Sequence, residues 1–344
     1  MPGPRRTCAT MPHHFQLAAT DPAYVARRLR IEGITRVSRS AQRERPVTIP
    51  VVVHVVSVDA ASDIDDAQVN SQVDVLNEDF RFHNGDRERI PTAFRDEAGD
   101  ALVEFVLAAR DPAGKATSGI NRIRSSARFA WDGNDAEATR KLDALLKFAP
   151  TGAPAWPRED YLNVWVAPLD GGLLGYAQFP GGPAETDGVV IRYDAFGRVG
   201  RVAAPFHRGR TCTHEVGHWL NLLHIWGDDG NGCQNSDNVA DTPNQGGANF
   251  GTPDFPHLSC GNEPDGDMFM NYMDYVDDET MHMFSRGQIA RMDATLAGPR
   301  ATLASSAALG QPRDDEAARR PSDAGLFTLV PPQHRFDGVH WRQP

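Results

Sequence analysis

Three histidines constrain this chain more than any other feature. They stand at 214, 218 and 224 in HEVGHWLNLLH, with Glu215 directly after the first. On a helix, residues four apart share a face, so His214 and His218 can hold one metal ion between them. Glu215 is close enough to reach a water on that ion. His224 lies six residues beyond His218, and a continued helix, at about 100° per residue, would aim it roughly 240° away. The helix therefore has to break first. Asn221 sits where the break is needed, and Asn tolerates the left-handed region better than any residue except Gly. Three neutral imidazoles suit Zn²⁺ and leave a fourth position for water, the arrangement of catalytic rather than structural zinc.

Composition sets the frame around this motif. A chain of 344 residues accommodates one large domain or two modest ones, and 40% apolar residues are enough for a core. No apolar run approaches the ~20 residues of a membrane span. A pI near 5.5 argues against nucleic-acid binding, which calls for a basic patch or stripe. The net charge of −11 is unevenly spread. Residues 228–278 hold ten Asp, one Glu and no Lys or Arg, whereas residues 1–46 hold nine Arg against three acids. The acidic stretch reads either as solvated loop or as a cation-binding segment. Four cysteines do not make a disulfide scaffold; one bridge and two free thiols fit, with Cys233 and Cys260 in the same loop-rich segment. The N-terminus has no apolar signal region, so either the protein stays inside the cell or a signal peptide lies outside this sequence.

Periodicity places the motif within a mixed chain. Helices are expected over Asp21–Glu32, Asp66–Phe82, Asp135–Phe148, Arg210–Leu223 and Ser285–Leu296. Strands are expected over Thr48–Val58, Ala101–Ala109, Ile120–Arg124, Tyr161–Ala167 and Gly188–Tyr193. Thr35–Pro46 is rich in Arg and Ser and reads as an exposed, protease-sensitive linker. From Gly227 to Met270 periodicity vanishes, and so long an irregular segment is usually functional. Cys212, just before the zinc motif, reads as a buried small hydrophobe.

HExxHxx(G/N)xxH followed by a Met-turn is the metzincin zinc signature. The Met-turn candidate is Asn271-Tyr272-Met273-Asp274-Tyr275. With HEVGHWLNLLHIWGDD, then GC and DTPNQ, then NYMDYVDD and GQIARM, residues 205–296 resemble the pappalysin family, in its ulilysin-like or cytophagalysin branch. The resemblance implies an α+β, metzincin-like fold: a twisted, mostly parallel sheet with backing and active-site helices above a cleft, then an irregular C-terminal subdomain with the Met-turn and a final helix. It implies that His214, His218 and His224 bind zinc and that Glu215 is the general base. Met273 would floor the zinc site, and Tyr275 would stabilise the oxyanion. Asp278, five residues after Met273, matches the acid of a pocket that favours Arg or Lys after the scissile bond. The Gly-rich stretch 171–182 resembles the strand that pairs with extended substrate, with Leu173, Leu174 and Gly175 supplying backbone contacts.

The family's disulfide positions fall on Cys233 and Cys260, while Thr280 replaces a cysteine of its usual second bridge. That puts weight on calcium, which in the family binds this loop through Asp and backbone oxygens; Asp237, Asp241 and Thr242 are the candidates. In the family a cysteine of the N-terminal region caps zinc in the latent enzyme. Cys8 stands in that region, and a thiolate would displace the catalytic water.

The resulting organisation is a basic prosegment over 1–45, a catalytic domain over 46–299 divided near 224/225, and a disordered tail over 300–344. Activation would cut within Val37–Pro46, near Arg39, Arg43 or Arg45. The expected protein is a secreted, latent zinc endopeptidase acting on peptides and proteins. The alternatives are a zinc- or peptide-binding module without catalysis, against which an intact Glu215 speaks, and a zinc hydrolase of a non-peptide amide.

Overall fold

The computed structural model describes residues 4–37, 43–230 and 232–309. Its centre is β1 (Val47–Ser57), an eleven-residue strand whose β-branched side chains suit a sheet covered on both faces. Ile49, Val51, Val53 and Val55 point into one core, and Val52 and Val56 to the opposite face. β1 pairs in parallel with β2 (Val103–Leu107) over its first half and with β3 (Ile120–Arg124) over its second. On its other side lies β4 (Leu162–Ala167), followed by β6 (Val189–Arg192), both parallel. β5 (Gly175–Ala177) closes this edge antiparallel to β6. The order β2-β1-β4-β6-β5 is the expected mostly parallel arrangement.

Two long helices pack on the first face: α3 (Asp66–Phe80), capped by Asp65, and α5 (Arg210–Trp219), which carries the zinc motif. α4 (Ala138–Leu146) covers the other face with Leu142 and Leu146. The irregular segment after α5 is short of apolar periodicity because its acids do the organising. Asp267 accepts hydrogen bonds from Ser259, Asn262 and His257, and Asp274 from the Asn249 and Tyr275 amides and the Gln245 side chain. Cys233 and Cys260 are bridged there. The two-residue strands β7 (Phe250–Gly251) and β8 (Tyr275–Val276) pair beside the cleft. A capping box of Ser285 and Gln288 starts α6 (Arg286–Ala297).

Several boundaries differ from the periodic reading. α1 (Thr10–Thr20) was not expected, since a Pro- and Arg-rich start argues against helix; Pro12 falls in its first turn, where no amide donor is needed. α2 (Pro22–Val37) runs past Glu32 into the expected linker. Arg43 is no free linker residue, because it pairs with Asp293 at 2.8 Å. Residues 38–42, with Arg39, lie outside the described residues. Residues 300–309 belong to the fold, against the expectation of a disordered tail over 300–344: Leu303 and Ala308 are buried, and Arg300 pairs with Asp187 at 2.9 Å over the Trp219 ring. Residues 310–344 lie outside the description.

Candidate metal centre and cleft

α5 is buried along its whole length and ends at Trp219, four residues short of the periodic estimate. Asn221 takes φ +77°, and the Leu222 amide turns back to the Gly217 carbonyl at 3.0 Å. This turn returns His224 to the face of His214 and His218. The three Nε2 atoms converge, with His218 Nε2 3.1 Å from each of the other two.

The opposite ring nitrogens fix the tautomers. His214 Nδ1 donates to the Tyr272 carbonyl at 2.7 Å and His218 Nδ1 to the Leu222 carbonyl at 2.8 Å. His224 Nδ1 faces Asp228 at 2.6 Å. Carbonyls only accept, so the proton sits on Nδ1 and the Nε2 lone pair points inward, as in a histidine metal site. Burial pushes His214 and His218 well below the ordinary imidazole value, which keeps them neutral. A tetrahedral zinc with bonds of about 2.0–2.1 Å sets its nitrogens about 3.3 Å apart, so the donor set fits that ion. Cys8 Sγ completes the cluster: its distance to the three nitrogens stays within 4.8 Å.

Glu215 is buried beside the centre. Its Oε2 accepts the Thr10 hydroxyl at 2.9 Å and lies 3.4 Å from Cys8 Sγ, and burial pushes the carboxyl up to about 7. Met273 packs against the underside of α5. A Cβ on Gly217 would come within 2.5 Å of its sulfur, so a larger residue there would force the Met273 side chain or the helix to shift. Tyr275 stands edge-on to His224 at 4.9 Å between ring centroids, with its hydroxyl 3.4 Å from the Cys8 carbonyl.

Residues 7–9 occupy the cleft. The Leu174 amide donates to the Thr7 carbonyl, and the Ala9 amide to the Gly175 carbonyl, both at 3.0 Å. The segment runs parallel to β5. Gly175 lets β5 lie close to α5: a Cβ would stand 2.8 Å from the Val190 carbonyl and 3.1 Å from the Glu215 carboxylate. Leu173 is buried in the core. Arg6 reaches Asp278, with Nη2 to Oδ1 at 2.6 Å, and also bonds Thr211 and the Val276 carbonyl. The second Asp278 oxygen accepts the Arg208 amide at 2.7 Å.

Comparison with known proteins agrees with this geometry. Residues 151–297 match the family described as pregnancy-associated plasma protein-A. An extracellular metalloprotease of Pyricularia oryzae is 32% identical over 269 residues, covering 76% of this chain and 79% of its own. This chain is a pappalysin-family metallopeptidase. The solved structure of a promirolysin mutant of Tannerella forsythia is 45% identical, covers 87% of this chain and 97% of its own, and superposes with a TM-score of 0.78. Mature mirolysin of the same organism, in complex with a cleaved peptide, is 49% identical over 76% of this chain and 96% of its own, with a TM-score of 0.71. The pappalysin is a zinc metalloendopeptidase with a metzincin-type fold. Among its described residues no helix is long and apolar enough to cross a membrane.

The pappalysin's remaining expected site residues are less tightly grouped. Thr242 donates to both Asp237 oxygens at 2.9 Å, and burial pushes the Asp237 carboxyl up to about 7. Asp241 turns away and spends its oxygens on the Ser285 hydroxyl and Gly287 amide at the start of α6. Cys212 is fully buried. Arg6, Thr10, Asp228 and Tyr272 were not found from sequence, since their contacts depend on the tertiary fold. Gly217 carried a readable signal, a glycine inside a helix that needs a packing reason.

Proposed function

We propose that residues 46–299 hydrolyse peptide bonds at the His214–His218–His224 centre and that residues 1–45 hold the enzyme latent. The convergence of three inward Nε2 lone pairs beside a buried carboxylate carries this reading. A zinc ion held there would polarise the scissile carbonyl and lower the pKa of a water. Glu215 takes the proton from that water and later gives it to the leaving amine. Burial beside the centre disfavours the charged carboxyl, which favours its holding the proton between the two transfers. Tyr275 donates to the oxygen that gains charge; burial holds its phenol protonated. Leu174 and Gly175 offer backbone groups to an extended substrate, and Asp278 selects Arg or Lys after the scissile bond.

Latency follows from the N-terminal segment. Cys8 would hold the fourth position on the ion, and Arg6 occupies the acidic site at Asp278 that a basic substrate side chain would use. Promirolysin covers 87% of this chain and mature mirolysin 76%; the difference, 11% of 344 residues, is about 38 residues, close to the segment assigned here. The extracellular relatives support secretion. Digestion of denatured casein, with and without a zinc chelator, tests the reading through the fragment ends. New N-termini should begin with Arg or Lys, and Asp278→Asn should erase that bias by about 10-fold or more. Absence of chelator-sensitive cutting under every activation condition would sink the protease; cutting without basic N-termini would sink only the pocket.

Calcium is proposed at Asp237 and Thr242, with backbone oxygens completing the shell. Without a cation, the raised Asp237 value stabilises the fold only while the group is protonated. That contribution is present below about pH 4 and lost as pH rises to about 7. Melting temperature should therefore fall across this window in a calcium chelator and stay flatter in millimolar calcium. Identical profiles would remove calcium from this site.

A further inference from the structure

Asp79, the penultimate residue of α3, is 2% exposed, and no step of the proposed reaction uses it. Its two oxygens face different elements. Oδ2 accepts the Thr213 hydroxyl at 2.6 Å and lies 3.1 Å from Arg210 Nε, both on α5. Oδ1 accepts the Tyr272 phenol at 3.0 Å. Thr213 directly precedes His214, and Tyr272 is the residue whose carbonyl holds His214 Nδ1. The Arg210 guanidinium lies over the Tyr272 ring at 5.2 Å. One carboxylate thus joins the two walls between which the His214 ring is aimed.

Stability alone gives little reason for this arrangement. Buried ion pairs can often be replaced by well-packed apolar groups without loss. An apolar side chain cannot, however, fix the direction of a partner. We propose that Asp79 is a positioning residue for the metal centre: it ties Tyr272 to α5, so that the Tyr272 carbonyl sets the rotation of the His214 imidazole. The inference rests on His214 being a zinc ligand.

Tyr272→Phe is the decisive variant. It removes one hydroxyl and leaves the ring, the carbonyl and the Asp79–Arg210 pair in place. The zinc dissociation constant of the full chain is measured by chelator competition, beside the melting temperature of the zinc-free protein. Groups that orient a ligating imidazole contribute about 10–100-fold in affinity or activity. One link further out, zinc should bind about 10-fold more weakly in Tyr272→Phe and at least as weakly in Asp79→Asn. After activation the loss should fall on kcat rather than KM.

Asp86→Asn is the control. Asp86 pairs with Arg210 at 3.2 Å in the same buried network but bonds neither Tyr272 nor Thr213 among the described contacts. It should lower the melting temperature and leave zinc affinity unchanged. Unchanged affinity in Tyr272→Phe, or an equal shift in Asp86→Asn, overturns the proposal. Should Asp79→Asn not fold, Tyr272→Phe still decides. A wild-type chain that binds no zinc, or a His214→Ala chain that binds it normally, defeats the ligand assignment itself, an outcome distinct from either.

Discussion

Glu215→Gln should lower kcat/KM by about 10³-fold while one zinc per chain is retained. General acid–base groups contribute about 10²–10⁴-fold, and in the proposed reaction Glu215 would serve two proton transfers in one turnover. The substitution keeps the shape of the side chain and an oxygen for the Thr10 hydroxyl at 2.9 Å. It also replaces an acid that burial disfavours in its charged form, so the melting temperature should not fall. The loss is then chemical. On incubation the wild-type chain should shorten to a product starting near residue 46, and the Glu215→Gln chain should remain full length. A gel with N-terminal sequencing reads both. Equal shortening of the two would place activation in other hands and remove self-cleavage from the account.

Arg6→Ala combined with Cys8→Ala should make the uncut chain active. In the proposed latent state the two residues block different groups, Arg6 at Asp278 and Cys8 at the histidine cluster, so single variants should each release only part of the activity. Arg6 forms a buried pair with Asp278, its side chain 1% exposed, and bonds two further groups. Breaking such a pair costs about 3 kcal/mol, roughly a 100-fold shift between seated and released segment. Cys8→Ala would free the proposed fourth position but leave the backbone bonds of Thr7 with Leu174 and of Ala9 with Gly175. Activity of the full-length double variant, on a substrate with Arg after the scissile bond, should exceed wild type by at least 100-fold before any cleavage is visible. Continued latency would move the inhibition to α1 and α2.

The sequence carried the chemistry further than the architecture around it. Histidine spacing is a local property of one helix, so the centre and the need for a break at Asn221 were legible without any long-range contact. β1 was legible because a run of β-branched residues has few other uses. The segment after α5 was not, because its order comes from Asp267 and Asp274 gathering amides from distant positions, which leaves no periodic trace. The N-terminal helix α1 was missed for a similar reason: it is held by contacts such as His13 with Asp143 at 3.1 Å, made to a surface that no window of sequence displays. Asp278 was placed by its interval from Met273, but its partner Arg6 lies 272 residues away.

The pairing of Thr7 and Ala9 with β5 also bears on handling outside the active site. A sheet edge with free amides and carbonyls is a template for another chain, and proteins shorten or cover such edges to stay monodisperse. Here residues 7–9 lie along that edge, bonded to Leu174 and Gly175. If the segment is removed as proposed, the uncovered strand would be three residues long, a short template on which a peptide could pair but a neighbouring sheet would gain little.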